Sequence, residues 1–261
     1  MSPQKDHIIG IVGGMGPEAG INLFNHILRM TLAKKDQDHA SVVMMSFPSE
    51  ISDRTSFLEG REMTNPAFSL IRIIRKLEDA GALVVGIACN TAYAPLIHDT
   101  IKTGLLQMDS SVKLISMPME TCENIREMFP NARRVGIMST NGTYRAGVYQ
   151  QILKQEGYDV VLPPEDLQDN TIHRMIYDHG FGIKACPGTI TCEVRKALNE
   201  ALAFFRDNHT DVVILGCTEL SLVLEEGNAD GIGIIDSTKA MARALIREAR
   251  RSRLSETFKH A

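Results

Sequence analysis

Along this chain, short apolar runs alternate with stretches whose apolar residues recur every third or fourth position. The runs are residues 7–12, 41–47, 83–88, 112–117, 134–138, 158–162, 212–216 and 232–235, and they read as strands. They are apolar nearly throughout rather than alternating, which suits a parallel sheet covered on both faces. The periodic stretches read as helices with legible ends. Asn65-Pro66 opens one of them, a capping side chain followed by proline at the first helical position. Its apolar stripe is Ala67, Leu70, Ile71, Ile74 and Leu77, and Gly81 stops it. Another follows Thr191, with Val194, Ala197, Leu198, Ala201 and Phe205 on one face. The last starts near Asp236 and runs past Arg247. Strands and helices in alternation predict an α/β fold.

The pattern repeats itself. His7-Ile-Ile-Gly-Ile-Val, a glycine-rich turn and Ala19-Gly20 recur as Arg134-Val-Gly-Ile-Met, a turn and Ala146-Gly147, offset by 126 to 127 positions. Leu83-Val-Val-Gly-Ile-Ala-Cys89-Asn-Thr recurs as Asp211-Val-Val-Ile-Leu-Gly-Cys217-Thr-Glu, offset by 128. Two echoes in the same order and nearly the same spacing predict two similar lobes. Lobe 1 is expected over residues 1–115 and lobe 2 over 116–220, with the C-terminal segment 221–261 packing back on lobe 1.

Composition narrows the class. With 261 residues, 44% hydrophobic and 23% charged, the chain has the profile of a soluble globular protein. A net charge of −4 gives no case for nucleic acid as a partner. Residues 1–6 are polar and lack the apolar core of a signal peptide, and no run approaches a membrane span. The five cysteines, 89, 122, 186, 192 and 217, are an odd set without a secretory signal, so reduced thiols in a cytoplasmic setting are expected. No paired Cys/His spacing predicts a zinc site.

Two features carry candidate chemistry. The first is the turn Gly14-x-Gly16-x-x-x-Gly20, with Pro17 at a helix start. It meets a relaxed dinucleotide pattern, but the acid that completes that pattern is displaced: the second strand ends in Phe47-Pro48-Ser49, and Glu50 falls late. A smaller anion, such as a carboxylate, suits the amides of Gly14, Met15 and Gly16 better. A tight strand-to-helix turn that binds nothing is the plain alternative.

The second feature is the pair Cys89 and Cys217. Each ends an apolar strand and precedes a polar pair, Asn90-Thr91 and Thr218-Glu219. Ligands of open parallel sheets bind outside the carboxyl ends of the strands. Two lobes facing each other would bring both thiols to one cleft from opposite sides. That arrangement suits removal of a proton from one face of a carbon and its return to the other, one sulfur acting as thiolate and the other as thiol. Asn90, Thr91 and Thr218 are placed to donate to thiolate or substrate. Cys122, Cys186 and Cys192 lack such pairing and read as ordinary thiols; His98 reads as a packed or surface residue, and His173 and His179, beside the stretch 178–188, are candidates to modulate charge there rather than catalysts.

The sequence also resembles the aspartate/glutamate racemase family of the cofactor-independent amino-acid racemases. The motifs are Ile9-Gly-Ile-Val-Gly-Gly-Met-Gly-Pro17, residues 48–54 with Asp53-Arg54-Thr55, Cys89-Asn-Thr-Ala92, Thr140-Asn-Gly-Thr143, Ile176-Tyr-Asp178, Gly182-Ile-Lys-Ala185 and Gly216-Cys-Thr-Glu219. The resemblance implies two lobes, each a four-stranded parallel sheet flanked by helices, with the active site in the cleft between them. It implies catalytic Cys89 and Cys217, no pyridoxal phosphate, no metal and a homodimer. It places Arg54 and Lys184 on the side-chain carboxylate of an acidic amino acid, in keeping with arginine's planar fork and lysine's point charge. Lys184 lies in the stretch 178–188, which contains Gly180, Gly182 and Pro187 and reads as a lid or an exposed connection. Gly14, Met15, Gly16, Asn90, Thr91, Thr140, Thr143, Thr218 and Glu219 are the remaining candidates to hold the α-carboxylate, the amine and the thiols.

The expected activity is racemisation of an acidic amino acid, aspartate foremost. An isomerase or another racemase acting on a related dicarboxylate or glutamate is the alternative enzyme, and a non-catalytic binder of acidic metabolites is the alternative class.

Overall fold

The structure is a computed structural model that describes residues 7–186 and 188–257, with side chains through Arg250. The polar residues 1–6 and Pro187 of the expected lid lie outside the described residues.

The first lobe runs β1 (Ile8–Gly13), α1 (Pro17–Met30), β2 (Val42–Ser46), α2 (Arg54–Leu58), α3 (Ala67–Asp79), β3 (Ala82–Ile87), α4 (Pro95–Gln107) and β4 (Lys113–Leu114). The second runs α5 (Met117–Met128), β5 (Arg134–Ser139), α6 (Asn141–Arg145), α7 (Gln150–Gln155), β6 (Asp159–Val161), α8 (Glu165–Leu167), α9 (Arg174–Tyr177), α10 (Cys192–Asp207), β7 (Val212–Gly216), β8 (Gly227–Ala229), β9 (Ile232–Asp236) and α11 (Ser237–Thr257). Helix starts follow the capping signals. Asn65 Oδ1 accepts from Ala67 N–H at 2.9 Å, and Thr191 Oγ1 accepts from Val194 N–H at 3.2 Å.

The sheet orders are β2-β1-β3-β4 and β6-β5-β7-β9-β8. The first four positions of the two orders correspond, so the sequence repeat is also a topological repeat. All pairings in the first sheet are parallel. Ile9, Ile11, Val12, Val85 and Ile87 are fully buried, as expected for strands covered on both faces.

The second sheet departs from the expected four strands. β8 adds a fifth, antiparallel to β9. Asp230 and Gly231, at φ +50° and +90°, join the two as a tight hairpin, and Asn228 Oδ1 accepts from Gly231 N–H at 3.0 Å. The apolar run 112–117 also forms less strand than its composition predicts. Only Lys113 and Leu114 pair with β3. Met117 already belongs to α5, where Pro118 in the first turn favours helix.

The C-terminal segment divides between the lobes. β9 pairs with β7 in the second sheet, whereas α11 packs on α1, α5 and β3. Gly86 in β3 makes this docking possible. A Cβ there would stand 2.9 Å from Leu245 and 3.0 Å from Met241 of α11. Among the described residues no helix is long and apolar enough to cross a membrane.

In each sheet the chain reverses its order of strand addition beside one pair: β1 and β3 in the first, β5 and β7 in the second. Loops diverge at such points and leave a crevice at the carboxyl ends of the strands. The segments leaving these four strands carry the Gly14–Gly16 turn, Cys89-Asn90-Thr91, Thr140-Asn141-Gly142-Thr143 and Cys217-Thr218-Glu219.

Candidate active site

The two cysteines occupy equivalent backbone positions. Cys89 (φ −162°, ψ 116°) and Cys217 (φ −142°, ψ 131°) each extend a strand into a 3₁₀ turn, over Asn90–Tyr93 and Thr218–Leu222. Each is 5% exposed. Both line a single cavity with Met15, Arg54, Asn90, Thr91, Thr140, Tyr177, Lys184, Thr218 and Glu219. The cavity is narrow, with about 10 Å³ of free space, room for one water molecule. Of the residues singled out from sequence, Gly14, Gly16 and Thr143 stand behind this lining.

Turns from opposite lobes brace each other across the cavity. On one side, Gly16 N–H donates to Glu219 Oε1 at 3.1 Å. The glycine turn thus holds a carboxylate, and that carboxylate is the chain's own. Gly14 is at φ +90°, where an added Cβ would meet the backbone of Phe47 and Pro48 at 3.1 Å. On the other side, Thr91 Oγ1 lies 3.1 Å from Thr140 Oγ1 and 2.9 Å from Thr143 Oγ1. Thr140 also caps α6 by accepting from Thr143 N–H at 3.4 Å.

Glu219 is the most connected side chain of the site. Oε1 accepts from Gly16 N–H and from Lys184 Nζ, while Oε2 accepts from Cys217 Sγ at 3.0 Å and Thr218 Oγ1 at 3.1 Å. Burial would raise its pKa, but the Lys184 charge and the bonds from Cys217, Lys184 and Gly16 outweigh burial and bring it to about 2. Cys217 responds in the opposite sense. Burial, and then the Glu219 charge, push its thiol well above the ordinary cysteine value, against the pull of Lys184. Burial also disfavours the Lys184 cation, yet Glu219 and Cys217 more than compensate and raise its pKa.

Lys184 is set by the backbone. In the stretch 178–188, Ile183 N–H donates to Met175 O at 3.0 Å and Lys184 N–H to Ile176 O at 3.1 Å, which folds the strap onto α9. Gly182 allows the fold, because a Cβ there would meet Asp178 backbone atoms at 2.6 Å.

Arg54 is only 7% exposed. Its Nη2 donates to Met15 O at 3.2 Å and Nη1 to Ser52 O at 3.3 Å. Its Nε is buried without a hydrogen-bond partner among the described residues. Burial opposes its charge, but interactions with Cys89, Tyr177 and Asp53 raise its pKa above the ordinary arginine value. Lys184 Nζ also lies 3.5 Å from Met15 O, so both cations converge on one backbone oxygen.

Some assignments from sequence change character here. Asn90 lines the cavity, but Tyr149 O–H donates to its Oδ1 and its Nδ2 donates to Ser237 Oγ at 3.0 Å. Its side chain ties the first lobe to the second. His98, His173 and His179 do not line the cavity. His173 accepts from Asn141 N–H at 3.2 Å and stacks on Tyr177. Cys122 is buried in α5, with its thiol pushed up to about 12 by burial first.

Asp53 and Tyr177 stand in the motifs quoted from sequence, but sequence reasoning gave neither a role in the site. Tyr177 O–H donates to Asp53 Oδ2 at 3.0 Å, and Lys184 Nζ lies 5.4 Å from the Tyr177 ring centre. Asp53 also caps α2, accepting from Ser56 N–H at 2.7 Å, and so aims Arg54 from the first helical position. An Asp before a short helix was the available signal.

The sequence profile of the Asp/Glu/hydantoin racemases matches residues 12–245. The chain belongs to this family. A broad-specificity amino-acid racemase of Bacillus subtilis, RacX, is 25% identical over 92% of this chain and 96% of its own length. The solved aspartate racemase of Picrophilus torridus is 27% identical, with a TM-score of 0.73 over 93% of this chain and 94% of that one. An aspartate racemase homologue from Pyrococcus horikoshii OT3 shares the fold at 24% identity, with a TM-score of 0.69 over 93% of this chain and 99% of that one. Within this racemase family fold, the two thiols sit at the carboxyl ends of equivalent strands.

Proposed function

We propose that the protein racemises an acidic amino acid, aspartate foremost, by two-base proton exchange between Cys89 and Cys217. The observation that carries this reading is the pair of thiols on equivalent strand ends, lining one cavity together with the buried Arg54 and the half-buried Lys184. One sulfur, as thiolate, takes the α-proton, and the other, as thiol, donates to the opposite face. The roles exchange with the handedness of the substrate.

The charges of the site favour a dicarboxylate. Arg54 and Lys184 line the cavity beside Glu219, and Lys184 is already paired with Glu219, so Arg54 is the cation left to meet a substrate's second carboxylate. The convergence of both cations on Met15 O makes a place where one carboxylate can meet both, with Arg54 Nε an unused donor. Thr91, Thr140 and Thr218 also line the cavity, with their hydroxyls engaged in the triangle of threonines and on Glu219. The cavity as it stands has room for one water molecule, so binding of any amino acid requires it to widen.

A wider substrate range is the second reading, supported by the name of the Bacillus subtilis relative. A homodimer working without pyridoxal phosphate or metal belongs to the same proposal and follows from the family resemblance, and a cytoplasmic setting follows from the five cysteines. Chiral chromatography of L-aspartate, L-glutamate and neutral amino acids after incubation with the enzyme tests it. Appearance of D-aspartate ahead of the others supports the proposal; no inversion of any acidic amino acid refutes it.

A further inference from the structure

Backbone symmetry makes the two half-sites alike, yet the residue two positions after each cysteine differs. After Cys89 it is Thr91, whose hydroxyl is engaged with Thr140 and Thr143. After Cys217 it is Glu219, whose Oε2 lies 3.0 Å from Cys217 Sγ. Gly16 N–H, Lys184 and Thr218 hold that carboxylate in place on its other sides. A carboxylate fixed there accepts a hydrogen bond from a thiol but repels a thiolate.

We propose that Glu219 is a positioning residue that keeps the proton on Cys217 in the empty enzyme. Cys217 is then the thiol that donates first. For the enantiomer whose α-hydrogen faces Cys89, Cys89, which interacts with the Arg54 guanidinium, is the base; the other enantiomer uses the same groups in reverse. In that step the Cα–H bond breaks and a Cys89 S–H bond forms. The Cys217 S–H bond breaks, and a Cα–H bond forms on the opposite face. Cys217 is left as a thiolate beside Glu219, a like-charge pair that Lys184 offsets; after product leaves, Cys217 takes a proton from water and Cys89 returns one to water, which resets the pair. The charged and titratable groups around Cys217 are Glu219 on its own turn, Lys184 on the strap, Tyr177 at the end of α9, and Arg54 and Cys89 across the cavity.

Glu219's role rests on the two-cysteine reading above, so its test is read on the thiol and not on turnover. Iodoacetamide alkylation of Cys217, followed by mass spectrometry of its peptide against pH, reports the thiolate directly. In the wild type the midpoint lies above the ordinary cysteine value of about 8.5. A midpoint at or below that value overturns the proposal without any variant. Glu219→Gln lowers the midpoint by about one unit or more, a gain of about tenfold or more in alkylation at neutral pH. Glu219→Asp restores slow alkylation. An unchanged midpoint in Glu219→Gln overturns the proposal, as does equal acceleration at Cys89, which reports general opening of the cleft. Racemisation assayed on the wild type keeps the two readings apart: an active wild type with an unshifted Cys217 midpoint in Glu219→Gln removes this role alone, and a shifted midpoint with a wild type that inverts no acidic amino acid removes the racemase reading alone.

Discussion

Thr91 Oγ1 and Thr143 Oγ1 lie 2.9 Å apart, buried, one on each lobe of the molecule. Thr140 closes a triangle of hydroxyls with them. The pseudo-symmetric counterpart is the bond from Gly16 to Glu219, so each lobe's cysteine turn is braced by a turn from the other lobe. The cleft is therefore fixed by polar contacts between lobes, and distance between the thiols depends on them.

Thr143→Val keeps the side-chain shape and removes its hydroxyl from the triangle. It is expected to cost about 1 kcal/mol, the net value of a typical hydrogen bond, with up to about 3 kcal/mol if Thr91 is left unsatisfied. Urea denaturation checks the stability. The same variant is expected to lower kcat more than it raises KM, because Thr143 stands behind the lining and not in it.

Arg54→Lys replaces the planar fork with a point charge. Its bonds to Met15 O and Ser52 O are lost together with the free Nε. A lost charged hydrogen bond of about 1.5–3 kcal/mol corresponds to a fall of roughly 10- to 100-fold in kcat/KM for an acidic substrate. Steady-state kinetics with L-aspartate checks this, and the loss is expected to appear mainly in KM.

Gly86→Ala tests the docking of α11 on β3, away from the cavity. The added methyl would meet Leu245 at 2.9 Å and Met241 at 3.0 Å. Overpacking of this kind costs about 1–3 kcal/mol. Thermal unfolding is expected to shift down, while racemisation per folded molecule below the transition is retained.

The pKa of Glu219 links the site to acid stability. It is about 2 in the folded protein against an ordinary 4.5. A depressed carboxylate pKa contributes stability that is fully present above the unfolded value and is lost as pH falls through the folded value. The Glu219 contribution is therefore expected to fade between about pH 4.5 and pH 2. Denaturation curves of the wild type and Glu219→Gln across this window isolate it: the difference between them shrinks as the pH drops.

Much of this was legible in the chain before folding. The apolar runs and the two echoes located β1, β3, β5 and β7, and hence the four loops that make the cleft, because strands buried on both faces must be apolar throughout. Cys89 and Cys217 followed from their place in the repeat. β8 did not, since Gly227-Asn228-Ala229 carries no apolar pattern and pairs through its backbone; only Asp230-Gly231 announced the hairpin. The role of Asn90 was hidden as well. Its partners Tyr149 and Ser237 are 59 and 147 positions away, and no local pattern reports such a contact. Glu219 was visible as a residue after Cys217, but its fourfold bonding depends on Gly16 and Lys184, which only the fold brings together.

The central claim is proton exchange by two thiols from opposite faces of one carbon. Proton NMR of L-aspartate with the enzyme in D2O, with circular dichroism followed in parallel, tests it most directly. The wild type is expected to lose the α-proton signal as optical activity decays, while Cys89→Ala and Cys217→Ala each lose inversion by about 10²–10⁴-fold or more, the range of a general acid or base. Full inversion in either single variant would contradict the account.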